Sequence, residues 1–266
     1  MLKKTHYKRI NINQPLQYRA RHKAFAFLQI PLSSLLFRLT PWLASKMFRP
    51  FVIGRFVELP FVLLNIGSIK IRILDVGCYG NIIPLQLASL GYEVYAIDVQ
   101  KYYAKHPNLN VIQGDITQTS FPDDFFDVIT AVSTIEHIGL TRYGDPAYKD
   151  GDKKAMAEIF RILKVGGRVI MTVPFGERNI FYHKNIPSHR TYDLPSLKEL
   201  FSEFEIEKME FVLKKEGIYH LTLSVDEAYR NYATGDGDYS WLKAIALVVA
   251  LKKTRQGKAN LAEEDV

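Results

Sequence analysis

From residue 71 onward, apolar residues fall in short β-branched runs that alternate with segments of helical spacing. Ile71–Val76 is such a run and ends in Asp-Val-Gly; Ile83–Leu90 has helical spacing and is closed by Gly91, a residue suited to the left-handed backbone in which many helices end. Glu93–Ile97 predicts a second strand ending at Asp98, Val111–Ile112 leads into Gly114-Asp115, and Phe126–Val132 is another buried strand. Lys153–Leu163 reads as a helix, Arg168–Val173 as a strand after Gly166-Gly167, and Pro195–Phe201 as a helix with proline in its first turn. Glu205–Leu213 and Leu242–Leu251 complete the series as strands. Strand and helix in repeated alternation predict an α/β fold, a doubly wound, seven-stranded, mostly parallel sheet with helices on both faces. Its last two strands form an antiparallel pair.

Ahead of this domain the pattern differs. Residues 3–23 are basic and polar, then Phe25, Leu28, Leu32, Leu35, Leu36, Leu39, Leu43 and Met47 recur at helical spacing, punctuated by Pro31, Pro41 and Pro50. Two or three short helices are expected there, and Leu59–Ile66 is expected to be a helix packed on the sheet. The organisation is thus a helical N-terminal extension over 1–69, the α/β domain over 70–252 and a charged, disordered tail over 253–266.

Composition narrows the class. A chain of 266 residues with 47% hydrophobic and 24% charged residues is globular and large enough to fold without disulfides or structural metal. Its single cysteine, Cys78, excludes an intrachain disulfide and points to a cytoplasmic protein. The longest apolar stretch, Ala24 to Phe37, is broken by Pro31 and is too short to span a membrane. Charge is lopsided: residues 1–72 hold 13 Lys and Arg against one acid, Glu58, a balance of +12, while the remainder carries −5. Residues 1–50 are therefore candidates for peripheral contact with an anionic surface, such as membrane headgroups, and less so with nucleic acid.

In an open parallel sheet, ligands bind beyond the carboxyl ends of the strands where strand order reverses. The first strand ends in Asp75-Val76-Gly77-Cys78-Tyr79-Gly80-Asn81, and Asp98 follows Gly77 by 21 residues at the end of the second. A carboxylate there accepts hydrogen bonds from ribose hydroxyls. A dinucleotide asks for G-x-G-x-x-G, and Tyr79 and Ile82 occupy its second and third glycine positions. S-adenosyl-L-methionine has no phosphate, and its sulfonium cation suits an acidic rim such as Asp75.

Residues 70–252 resemble the class I S-adenosylmethionine-dependent methyltransferases. Ile73–Cys78 is similar to the family's first motif, Val94–Asp98 to its ribose-binding strand end, and Gly114-Asp115-Ile116 to the turn that meets adenine. Asp127–Thr130 through Glu136-His137-Ile138 resembles the fourth-strand motif, and Leu163–Ile170 the turn into strand five. His189–Tyr192 with Leu197–Phe201 is similar to the segment before the last hairpin. Tyr79 and Asn81 stand where members usually have glycine, which opens the way for Tyr79 to pack beside the cofactor. A subset tied to polysaccharide and surface-sugar pathways is resembled by Ser133–Asp145 and Glu58–Leu63.

The resemblance implies cofactor contacts at Asp75, Gly77, Cys78, Tyr79, Gly80, Asp98, Asp115, Ile116 and Ser133. It implies O-methylation of a small-molecule or carbohydrate hydroxyl, with His137 as general base oriented by Glu136. The alternatives are an RNA or nucleoside 2′-O-methyltransferase, a non-catalytic protein that keeps the fold, and, third, a nicotinamide oxidoreductase. Glu136, His137, His183 and His189 offer ligand types for a divalent cation, but their spacing is not that of a metal motif, and no metal is assigned.

Overall fold

The computed structural model describes residues 55–67, 71–183, 185–215, 218–234 and 244–253. The expected helices of residues 1–50 and the tail from 254 lie outside them. Residues Phe56–Val266 form one compact unit, with Met1–Arg55 assigned to another.

The chain runs α1 (Arg55–Ile66), β1 (Arg72–Val76), α2 (Ile83–Ser89), β2 (Glu93–Asp98), β3 (Leu109–Gln113) and β4 (Phe126–Val132). A 3₁₀ turn (Ile135–His137), α3 (Gly151–Ile162) and β5 (Leu163–Pro174) follow, then a two-stranded ribbon of β6 (Asn179–His183) and β7 (Ile186–Thr191). α4 (Leu194–Leu200), β8 (Glu205–Lys215), β9 (Ile218–Thr222), α5 (Val225–Thr234) and β10 (Ala244–Leu251) complete it. The main sheet has the order β3-β2-β1-β4-β5-β10-β8-β9. β1 to β5 are parallel, and β10 enters antiparallel between β5 and β8. From β1 the chain winds outward through β2 and β3, then returns to β4 on the other side. The order therefore reverses at β1, and a crevice opens beyond its carboxyl end.

Period-two alternation divides the core. On β10, Ala244, Ala246, Val248 and Ala250 face the α3, α4 and α5 side, sharing a cluster with Phe175, Phe201 and Phe211. Ile245, Leu247 and Val249 face the other side with Phe61, Val62 and Ile66 of α1 and Ile83 and Leu87 of α2. Central strands buried on both faces have no polar side to display, which is why they read as continuous apolar runs. α3 buries Ala155, Met156, Ile159 and Ile162, a stripe at helical spacing. α4 begins in a capping box, Asp193 accepting the Ser196 amide at 2.8 Å while Ser196 Oγ takes the Asp193 amide at 2.9 Å.

Seven strands stand where the apolar runs placed them, with shifted ends. β9 adds an eighth at the sheet edge, and the ribbon and α5 are further additions. β5 begins at Leu163 and runs on through the expected Gly166-Gly167 turn, Gly166 bending it at φ +77°. Lys252 is part of the body: its buried ammonium donates to the Leu163 carbonyl at 2.7 Å and to Asp124 at 2.8 Å.

Candidate active site

The turn after β1 is built against the loop after β4. Gly77 has φ +80°, and a β-carbon there would stand 2.2 Å from Thr134 Oγ1, so only glycine fits. Asn81, where the resembled family usually has glycine, ties the turn together: its Nδ2 donates to the Gly77 carbonyl at 2.8 Å and its Oδ1 accepts the Ile83 amide at 2.9 Å. The departure from glycine thus replaces backbone freedom with a side-chain clamp that also starts α2. Tyr102 Oη adds a bond to the Asn81 carbonyl at 3.0 Å.

Asp98 crosses from β2 to this turn, its Oδ2 accepting the Tyr79 amide at 2.9 Å and its Oδ1 the Gln100 amide at 2.8 Å. The Tyr79 ring is exposed at the mouth. Asp115 holds its own turn through the Thr117 amide at 2.8 Å, over the buried Ile116. The side chains of three expected contact residues are turned into the protein. Asp75 is fully enclosed and accepts from Thr130 Oγ1 at 2.6 Å, so its side chain offers no open surface. Ser133 turns its hydroxyl away to Glu58 of α1, at 2.7 Å. Cys78 is likewise fully enclosed; burial, then the charges of Asp75 and Asp98, push its thiol far up, leaving it an inert packing group in a negative field.

On the other side of β1 lies the 3₁₀ turn. His137 Nδ1 is 2.6 Å from the Ser188 carbonyl, and its Nε2 is 3.8 Å from Oε1 of buried Glu136. Burial lowers the His137 pKa to about 4, the neighbouring Arg142 and Arg190 adding to burial and the Ser188 bond opposing it. The imidazole is therefore neutral at neutral pH, and its contact with Glu136 is not an ion pair. His189 is lowered to about 4 as well, by burial first and then by His137 and Arg142.

The ribbon has two working faces. Phe181 and His189 stack at 5.0 Å on one, with the His189 ring 6.2 Å from that of His137. On the other, Ile180 and Arg190 border a cavity of about 440 Å³ shared with α3 and α4 and lined by neither His137 nor Asp98. Buried Arg190 donates to the Ile138 carbonyl at 2.7 Å and lies 3.5 Å from Asp152, which also accepts from Tyr192 Oη at 2.9 Å. The loop after the 3₁₀ turn is gathered by Asp145, accepting the Gly139 amide at 2.7 Å, and reaches over to the segment after β2, where Gln100 Nε2 donates to the Tyr143 carbonyl. That bond spans the mouth of the crevice above β1.

The donor set fits S-adenosylmethionine. Two half-buried carboxylates, Asp98 and Asp115, keep unused lone pairs after bonding their own turns, as ribose hydroxyls and an adenine amino group require. The open face of Gly80, with no atom within 4 Å of where a β-carbon would stand, leaves backbone exposed to a ligand. Among the described residues no group of three or more His, Cys, Asp or Glu is placed to hold a metal.

Sequence reasoning missed Ser188, Gln100 and the clamp role of Asn81. An Asn two residues before a helical amide, in the pattern of an Asx turn, was the available signal for Asn81. Ser188 acts through its backbone carbonyl and leaves no signal in the sequence.

Residues 74–171 match the family described as a methyltransferase domain. The eEF1A lysine and N-terminal methyltransferase of Mus musculus is 29% identical over 127 residues, which cover 44% of this chain and 18% of that protein. The ubiquinone biosynthesis O-methyltransferase of Rickettsia akari is 38% identical over 79 residues, covering 26% of this chain and 31% of that one. The chain thus spans less than a third of either relative. A chain of the Haloferax volcanii complex between the Trm112 methyltransferase activator and a methyltransferase superimposes with a TM-score of 0.56 at 16% identity, covering 80% of this chain and 97% of its own. The [4+2]-cyclase SpnF gives 0.52 at 17% identity, covering 75% and 80%. These two likenesses establish the fold. Residues 74–171 thus match a methyltransferase domain, and they sit in the fold that these solved structures share.

Proposed function

We propose that the protein transfers a methyl group from S-adenosylmethionine to a hydroxyl of a small molecule or carbohydrate. The observation that carries this reading is His137, a neutral imidazole across β1 from the donor carboxylates Asp98 and Asp115, with one nitrogen committed to Ser188. When bound, the cofactor supplies an electrophilic methyl on a sulfonium. Asp98 would hold its ribose and Asp115 its adenine, with Tyr79 at the open edge. The negative field of Asp75 and Asp98 favours the cation.

His137 Nε2 is the proton acceptor for the hydroxyl, and Glu136 is placed to stabilise the imidazolium as it forms. Much of the remaining acceleration comes from holding acceptor and donor in line. The rickettsial relative is named as an O-methyltransferase, which supports oxygen as the acceptor atom, whereas the mouse relative is named for lysine and N-terminal methylation. The likeness of Ser133–Asp145 to sugar-pathway members supports a carbohydrate. The basic stretch of residues 1–50 would bring the protein to an anionic surface within the cytoplasm.

A screen with labelled cofactor across sugar nucleotides, lipid-linked glycans, quinols, RNA and protein tests the reading. Label in a hydroxylated small molecule or glycan, lost with His137→Ala, is the expected result. Label only in RNA or protein would replace the acceptor. Cofactor binding with no labelled product would favour a non-catalytic protein that keeps the fold.

A further inference from the structure

We infer that Glu58, on the helix preceding the matched domain, is a positioning residue that sets both walls of the crevice through Ser133 and Thr134; the inference rests on the donor crevice proposed above. Glu58 is 2% exposed, and one of its oxygens, Oε1, accepts from Ser133 Oγ at 2.7 Å and Thr172 Oγ1 at 2.6 Å. Ser133 has φ +48°, a left-handed backbone that costs energy for a residue bearing a β-carbon. Its amide is tied to Thr172 as well, with the carbonyl and Oγ1 both 3.0 Å away. The strained residue is thus held from three directions, and Glu58 receives both its hydroxyl and that of Thr172.

What the strain positions is the next residue. Thr134 Oγ1 lies 3.1 Å from the Val76 and Val132 carbonyls, bridging the ends of β1 and β4. Its side chain fills the space that Gly77 leaves, and its carbonyl accepts the His137 amide at 3.0 Å to begin the 3₁₀ turn. Thr134 therefore touches the donor turn with its side chain and the base-bearing turn with its backbone. A shift of Ser133 moves both.

Packing alone gives no reason for an acid here. Phe61, Val62 and Ile66 of the same helix already fill the sheet face, and a carboxylate is costly to bury unless its oxygens are bonded. Gathering two hydroxyls at one oxygen fixes the Ser133 backbone in a way that an apolar side chain does not.

The test uses the full chain with Glu58→Gln, Glu58→Ala, Ser133→Gly, the Glu58→Ala/Ser133→Gly double variant, and Val62→Ala as a packing control. Calorimetry with S-adenosylhomocysteine should show affinity falling about tenfold for Glu58→Ala, the scale of one hydrogen bond to a charged group, and less for Glu58→Gln, which keeps an acceptor oxygen. In the Ser133→Gly background the same Glu58→Ala change should cost less than about twofold, because glycine takes the left-handed backbone unaided. Val62→Ala should lower the melting temperature and leave affinity unchanged. In the ligand-free protein, amide exchange at Tyr79 and His137 should quicken together in Glu58→Ala and not in Val62→Ala. Additive losses in the double variant, unchanged affinity in Glu58→Ala, or an equal loss in Val62→Ala would each overturn the inference. If the parent binds no S-adenosylhomocysteine, the crevice assignment falls, and the paired exchange rates decide the positioning role by themselves.

Discussion

The Nδ1 of His137 sits 2.6 Å from the backbone carbonyl of Ser188, and a carbonyl only accepts, so this nitrogen carries the proton. The lone pair is left on Nε2, the atom nearer Glu136. A ribbon residue thus chooses the tautomer of a side chain 51 positions earlier.

Removing the imidazole should separate binding from turnover. His137→Ala is expected to slow the chemical step by about 10²–10⁴-fold, the usual worth of a general base, with S-adenosylhomocysteine affinity nearly unchanged. Single-turnover rates within a few-fold of the parent would reassign the residue to positioning.

Acid should unfold the protein through the same group. The folded pKa of about 4 lies below the ordinary value of 6.5, so burial favours the neutral form. Stability from this residue is complete above about pH 6.5 and is lost as pH falls toward 4, on the order of 3 kcal/mol in all. Urea midpoints measured from pH 7 to 4 should fall in the parent and fall less in His137→Gln, where the buried His189 still titrates in the same window. A parent curve that is level across this window contradicts the neutral, buried imidazole.

Gly77→Ala should be disruptive. Its methyl would overlap Thr134 and sit on a backbone at φ +80°, for a loss of about 2–5 kcal/mol with cofactor binding abolished. Adding Thr134→Gly should recover the steric part and not the backbone part, which denaturation of the single and double variants can resolve.

Restoring the family glycine at Asn81 should weaken the protein. Asn81→Gly loses the bonds to Gly77 and Ile83, worth about 1–3 kcal/mol together, and loosens the donor turn. An increase in stability would show the clamp to be dispensable.

Asp98→Ala should weaken cofactor binding by about 1.5–3 kcal/mol, and Asp98→Asn by less, because the amide oxygen still accepts one of the Tyr79 and Gln100 amides. Equal losses in the two variants would mean that charge, and not turn geometry, is what Asp98 contributes.

The buried parallel strands were legible because β1, β4 and β5 have both faces covered and no polar alternation to confuse them with surface segments. The ribbon was not, since Asn179–Thr191 mixes His, Arg, Asn and Ser with apolar residues and packs on loops instead of on the sheet. β9 hid for a related reason: an edge strand meets one neighbour, and His220 and Thr222 are ordinary surface residues in it. At the site, Asp98, Asp115 and His137 announced themselves by standing at strand ends. Glu58 and Ser133 lie 75 residues apart and meet only because α1 covers the ends of β4 and β5. No local pattern encodes such a pair.

The ribbon's own ladder is separate from that of the eight-stranded sheet, joined at the Phe175–Tyr192 bridge. Alternation puts Phe181 and His189 on the face nearer the His137 ring and Ile180 and Arg190 on the face that borders the cavity, from which Arg190 reaches the Ile138 carbonyl. Lengthening β7 at its base by two residues keeps these assignments, while a single residue added there turns His189 away from His137 and Arg190 away from the Ile138 carbonyl and Asp152. Changes to this segment during descent are therefore filtered by parity: paired insertions can reshape the ribbon's tip while the donor crevice keeps its register, and odd ones must be absorbed by a bulge such as the one already present between Phe181 and Tyr182.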